Sequence, residues 1–140
     1  MKAELNLTMK NDLGALSGLM AKIEALLTEH SVSDRTMYKV NLVLEEILTN
    51  IIKYAYQDDH AHVIFVRVHV AETAIRIQVQ DDGNEFDPQK VPEPDLNLPI
   101  EETKVGGLGL HLIRANVERI DYERKGTRNC LTVHLSNQAA

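Results

Sequence analysis

The chain reads as an α+β protein: a two-layer α/β sandwich in which a mixed, mainly antiparallel sheet is covered on one face by helices. Three observations lead there. Residues 3–9 alternate apolar and polar, as a half-buried strand does. Two further β-rich runs, 63–70 and 74–80, are joined only by AET, the signature of a hairpin. Between these, residues 13–27 and 34–56 carry apolar side chains at spacings of three and four, the period of amphipathic helices.

Each element follows from local pattern. In the first strand Ala3, Leu5, Leu7 and Met9 share a face. The first helix repeats Leu13, Leu16, Met20, Ile23 and Leu27, with Asn11 or Asp12 placed to cap its start. A second helix opens after Ser33, a good N-cap, runs to about Tyr56 and ends in the polar turn QDDHAH. After the hairpin, residues 81–105 hold four prolines (Pro88, Pro92, Pro94, Pro99) and no sustained period. So long a loop in a compact domain suggests function, and residues 84–106 are a candidate lid. A helix resumes at about Leu108 with Leu112, Ile113, Val117 and Ile120 on one side. The runs 121–125 and 130–135, with a turn at 126–129, close the chain as a second hairpin.

With 140 residues, 44% of them hydrophobic, the chain suffices for one domain, taken as residues 1–140. A net charge of −6 argues against a sequence-independent nucleic-acid binder, which needs a concentrated positive surface. No stretch approaches the roughly 18 apolar residues of a membrane span, and the N-terminus lacks the apolar core of a signal peptide, so a cytosolic protein is expected. The single Cys130 lies in an apolar alternation and is expected to pack. The six histidines are scattered and none is assigned to chemistry.

Three stretches carry candidate chemistry. In VNLVLEEILTNIIKYAY, Val40, Val43, Leu44, Ile47, Leu48, Ile51 and Ala55 form one broad apolar face. Glu46 and Asn50, four apart, sit together at its edge, whereas Glu45 projects toward solvent. Such an oxygen pair suits a hydrated Mg²⁺ or the activation of a nucleophile, and equally a solvated helix boundary. Lys53 extends the same polar edge. In AIRIQVQDDG, Asp81 continues the inward set Ile75, Ile77 and Val79, and Asp82 points away. An inward carboxylate needs a donor; a purine amino group would serve, as would the backbone of an ordinary aspartate turn. Gly83 then allows a sharp turn or the approach of a flat ligand. Last, KVGGLGLHLIR brings Gly106, Gly107 and Gly109 into a helix start, which suits a phosphate cradle or a plain loop.

In order, these motifs are E-x-x-x-N on a helix, D-x-G-x-x-F-D-P after a strand and G-G-L-G-L opening a helix. They resemble the N, G1 and G2 boxes of the GHKL (Bergerat-fold) ATPases. Over nearly its whole length the chain looks like the small bacterial anti-sigma regulatory factors with serine-protein kinase activity. The resemblance implies the Bergerat ATP-binding fold and binding of ATP (or ADP) with Mg²⁺. It implies Glu46 as general base, Asn50 as the Mg²⁺ ligand, Asp81 as acceptor for the adenine amino group and Gly83 as room beside the base. Gly106, Gly107 and Gly109, with the amides of Leu108 and Leu110, would cradle the phosphates, Lys53 would stand in the nucleotide-binding set, and Thr132 would assist at the adenine. The implied partners are a STAS-domain anti-anti-sigma protein, a sigma factor and a second copy of the chain as homodimer. Two positions depart from the pattern: Tyr54 stands where many relatives carry a histidine, and Glu85 where the wider superfamily has glycine. A nucleotide-binding interaction module without phosphotransfer, and a simple ATPase, both remain compatible with the same residues.

Overall fold

The computed structural model describes residues 3–87 and 107–137, with the backbone alone for 107–109. The described strands and helices are β1 (Ala3–Lys10), α1 (Leu13–Glu29), α2 (Asp34–Tyr54), β2 (Val63–Val70), β3 (Ala74–Asp81), α3 (Gly107–Asn116), β4 (Arg119–Lys125) and β5 (Arg128–Ser136). The strands form one sheet in the order β1-β2-β3-β5-β4, every pairing antiparallel. This is the α+β architecture the periodicity predicts.

Alternation along each strand sends one set of side chains into the core. Ile64, Val66, Val68 and Val70 of β2, Ile75, Ile77 and Val79 of β3, and Val133 and Leu135 of β5 are buried. Against them pack Leu19, Ile23 and Leu27 of α1, Val40, Val43, Leu44, Ile47 and Leu48 of α2, and Leu110 and Ile113 of α3. The opposite face is polar; there Arg128 lies over the Phe65 ring at 5.1 Å. Cys130 is buried as expected but belongs by alternation to that outer face, and is absent from the helix-covered core.

The helix starts follow from their caps. The Asp12 carboxylate accepts from the Gly14 N–H at 2.7 Å, and the Ser33 hydroxyl accepts from the Thr36 N–H at 3.2 Å. Asn11, the alternative cap, instead accepts from the His62 N–H at 2.9 Å and ties β1 to the chain entering β2. Leu13 is half exposed, and Leu19 takes the buried place on α1. Helix α2 stops at Tyr54, slightly before the sequence suggests.

The closing hairpin differs most from expectation. Helix α3 ends at Asn116, whose side chain donates to the Leu112 carbonyl at 2.8 Å, so Ile120 belongs to β4 and not to the helix. The turn contracts to Gly126 and Thr127, with Lys125 paired to Arg128. Gly126, at φ +60°, supplies the backbone geometry that a two-residue hairpin turn demands. Asn129 therefore lies inside β5, opposite Asp81. The proline-rich part of the candidate lid, including Gly106, lies outside the described residues.

Candidate nucleotide site

A cavity of about 270 Å³ opens between the C-terminal half of α2, the end of β3 and the start of α3. Its walls are largely apolar, with Ile47 and Ile51 from α2, Leu110 and Ile113 from α3 and Leu131 from β5. Polar groups enter at few points: Asn50, Asp81, Asn84, Glu85, Tyr122 and Asn129. Apolar walls with a few convergent polar groups are the usual make-up of a small-molecule site, and this volume suits a flat heterocycle.

Asp81 is the buried charge of the site, only 4% exposed. Its Oδ1 accepts from the Gly83 N–H at 2.8 Å and from Asn129 Nδ2 at 3.0 Å. Both donors converge on one oxygen, which leaves Oδ2 without a hydrogen bond among the described residues. Burial pushes the carboxyl above its ordinary value; the Asn129 and Gly83 donors pull it back, Asp82 adds to the rise and Arg124 opposes it. A half-satisfied carboxylate at a cavity wall calls for a donor from a ligand.

The other residues picked from sequence divide clearly. Glu46 is half-buried and Glu45 exposed, the separation that helical geometry predicts, but only Asn50, one turn further on, lines the cavity. Lys53 is exposed and lines no part of it. Gly107, Leu108 and Gly109 open α3, and since Leu110 lines the cavity, the first turn of that helix stands at its wall. The first four N–H groups of any α-helix lack intrahelical partners and are open to an anion. Tyr54 and Glu85, the two departures from the family pattern, both line the cavity.

One expectation needs correction. Thr132 does not line the cavity: it pairs with Gln78, and alternation puts it on the outer sheet face, away from Asn129 and Leu131. Gly83 does not line it either. A Cβ there would come within 2.6 Å of Ala55 Cβ, 2.7 Å of the Ala55 carbonyl oxygen and 2.9 Å of Asp81 Oδ1. The glycine lets the turn after β3 press against the end of α2, where the Asn84 N–H donates to the Ala55 carbonyl at 2.8 Å.

Three residues escaped the sequence reading. Asn129, Tyr122 and Arg124 all come from the closing hairpin and converge on the turn after β3. Arg124 Nη1 donates to the Gly83 carbonyl at 2.8 Å and to Asn129 Oδ1 at 3.2 Å. The Tyr122 hydroxyl donates to the same Asn129 oxygen, and burial pushes this phenol up. The alternation Asn129, Leu131, Val133, Leu135 was a usable signal once the turn is shortened to two residues.

Outside the cavity, His62 joins the chain after α2 to the turn after β3. Its Nε2 lies 2.7 Å from Asp58 Oδ1 and its Nδ1 3.1 Å from Asp82 Oδ1. The hydrogen bond to Asp58 holds the imidazole above its ordinary value and the Asp58 carboxyl below. Tyr56 stacks on the His62 ring at 4.2 Å, and its hydroxyl is buried with no partner among the described residues; burial holds that phenol well above the ordinary range.

Among the described residues, no group of three or more His, Cys, Asp or Glu side chains converges as a metal site. A Mg²⁺ held by one protein oxygen and by phosphates needs none. No described helix is long and apolar enough to cross a membrane.

An antiparallel sheet covered on one face by α1, α2 and α3, with an apolar cavity that a few polar groups enter, is the architecture of a small-molecule-binding α+β domain. The family model for the histidine kinase-like ATPase domain matches residues 9–135, and the chain belongs to that family. It is similar to the serine/threonine-protein kinase BtrW of Bordetella bronchiseptica, with 27% identity over 101 residues, 72% of this chain and 71% of the relative. It is also similar to the serine-protein kinase RsbW of Listeria innocua, with 23% identity over 142 residues, 98% of this chain and 89% of the relative. The fold matches the crystal structure of the RsbU and RsbW domains of Rv1364c from Mycobacterium tuberculosis with a TM-score of 0.64 at 17% identity. That match covers 98% of this chain and 34% of the solved one, so the chain spans about a third of that solved chain.

Proposed function

We propose that this protein is an ATP-dependent serine/threonine kinase that acts as an anti-sigma factor and phosphorylates a STAS-domain anti-anti-sigma partner. The observation that carries the nucleotide reading is Asp81: a buried carboxylate on an apolar cavity with one oxygen free. Ionised Oδ2 accepts from the exocyclic amino group of adenine, while Ile47, Ile51 and Leu131 pack on the ring. The first turn of α3 would hold the phosphates, its N–H groups donating to their oxygens. Asn50 lines the same cavity and would hold the divalent cation through its amide oxygen. When bound, Mg²⁺ offsets the charge that spreads over the transferred phosphoryl group.

Glu46, one helical turn before Asn50, takes the proton from the acceptor serine as its oxygen bonds to the γ-phosphorus. The bond from that phosphorus to the β-phosphate oxygen breaks, and ADP leaves. Phosphoserine then brings up to about two negative charges to the partner surface and loosens the complex. In the same scheme the chain sequesters a sigma factor when its STAS partner is absent or phosphorylated. The relatives support this reading, since those named are serine or serine/threonine kinases.

The test is phosphotransfer from Mg·ATP to the STAS protein encoded nearest to this chain, read as phosphoserine by mass spectrometry. Glu46→Gln should lower the rate by roughly 10²–10⁴-fold, the usual share of a general base, and leave ATP binding intact. Partner binding without phosphoserine would reduce the protein to a nucleotide-binding interaction module. Phosphate release with no protein acceptor would make it a simple ATPase.

A further inference from the structure

The Asn129 side chain is fully committed. Its Nδ2 donates to Asp81 Oδ1 at 3.0 Å and to the Asn84 carbonyl at 2.8 Å; its Oδ1 accepts from the Tyr122 hydroxyl and from Arg124 Nη1. An amide offers two N–H donors and one carbonyl oxygen with two lone pairs, and all four are used here. Only one amide orientation fits, because the flipped one would set an oxygen against both the Asp81 carboxylate and the Asn84 carbonyl. Asn129 is itself only 5% exposed, so water cannot substitute for these partners at no cost.

We propose that Asn129 is the positioning residue of the purine site: it holds Asp81 in one orientation, with Oδ2 as the single oxygen offered to an exocyclic amino group. The same amide binds the Asn84 carbonyl, so the base-reading carboxylate and the turn that follows it move as one unit. Arg124 on the Gly83 carbonyl and Tyr122 on the Asn129 oxygen complete that unit. This inference rests on the adenine-nucleotide reading of the cavity.

A second consequence separates positioning from mere packing. Reading an amino group requires Asp81 ionised, and burial works against that charge. The titratable groups that act on it are Arg124 from β4, Tyr56 beyond α2 and the adjacent Asp82. Of these only Arg124 is cationic, so the neutral donors Asn129 and Gly83 carry much of the task. Without Asn129, Asp81 takes up a proton at higher pH, and adenine binding becomes pH-dependent.

The experiment is calorimetric titration of Mg·ATP and Mg·GTP into the full chain and its Asn129→Leu and Asn129→Ser variants between pH 6 and 8. The wild type should bind ATP with a flat pH profile. Loss of one hydrogen bond to a charged group predicts a roughly 10- to 100-fold weaker ATP affinity for Asn129→Leu at pH 6, partly regained by pH 8, with narrower ATP-over-GTP selectivity. A folded variant with wild-type affinity and a flat profile overturns the role of Asn129 and leaves the nucleotide reading standing; so does a loss of equal size at every pH. A wild type that binds no ATP overturns the nucleotide reading and this inference with it. Should Asn129→Leu fail to fold, Asn129→Ser carries the same comparison. The Asp81 carboxyl ¹³C resonance in the nucleotide-free chain must then titrate at higher pH in the serine variant than in wild type, and an unchanged titration overturns the proposal.

Discussion

Replacing Asp81 by Asn isolates the ligand-facing half of one carboxylate. Oδ1 keeps its role, since an amide oxygen still accepts from the Gly83 N–H and from Asn129 Nδ2. Only Oδ2 changes, from an ionised acceptor to an NH₂ donor that confronts the donor on adenine. The lost charge-assisted bond is worth about 1.5–3 kcal/mol, and the unpaired donor costs about 1–3 kcal/mol more. Together they predict ATP affinity lower by roughly two to four powers of ten, at about 1.4 kcal/mol per tenfold. Stability should behave oppositely. Burial raises the Asp81 carboxyl above its unfolded value of 3.8, so its favourable contribution exists only in acid and is lost as pH rises through the folded value. At neutral pH the buried charge opposes folding, and the Asn variant should melt at or above the wild-type temperature. Isothermal calorimetry with Mg·ATP and thermal unfolding at pH 7 measure both. A folded Asp81→Asn protein that binds ATP normally would refute the placement of the base, and one that does not fold would refute the bonding scheme at Oδ1.

Other perturbations probe the surroundings of the site. Gly83→Ala puts a Cβ 2.6 Å from Ala55 Cβ and should destabilise the protein by about 1–3 kcal/mol in urea unfolding; an unchanged midpoint would show that the end of α2 yields freely. Leu44→Ala, in the fully buried stripe of α2, should cost about 2–5 kcal/mol by the same measurement. The His62 contacts carry a pH signature of defined sign. The imidazole is raised above 6.5, so its contribution is complete below that pH and is lost as pH rises through the folded value. Asp58 is lowered below 3.8, and its contribution is lost only in acid. The wild-type melting temperature should therefore fall on going from pH 6.5 toward 8, and His62→Gln should lack that component; identical slopes would count against the bridge.

Much of the site was legible because it is written in local periods. Glu46 and Asn50 are four apart on one helix, and the structure separates them from Glu45 as the 100° rotation requires. Asp81 continues Ile75, Ile77 and Val79, and it is buried with them. Gly107 and Gly109 do open a helix at the cavity wall. The misreadings share a cause. Thr132 and Asn129 differ by one odd step along β5, and a turn drawn two residues too long hid which of them faces inward.

By itself the sequence determined which segments are strands and helices, which face of each is apolar, and that a lone carboxylate points inward at the end of β3. These properties depend on neighbours within a turn of helix or a pair of strand residues, so they survive without knowledge of the fold. The tertiary structure decided what meets that carboxylate. Asn129 lies 48 residues away from Asp81 and reaches it only because β5 pairs with β3 in one register. Gly83 lies so close to Ala55 at the end of α2 that a Cβ there would meet its carbonyl oxygen at 2.7 Å. Pairing across a sheet and close contact between a turn and a helix end are set by the packing of the whole chain, and no period along the backbone encodes them.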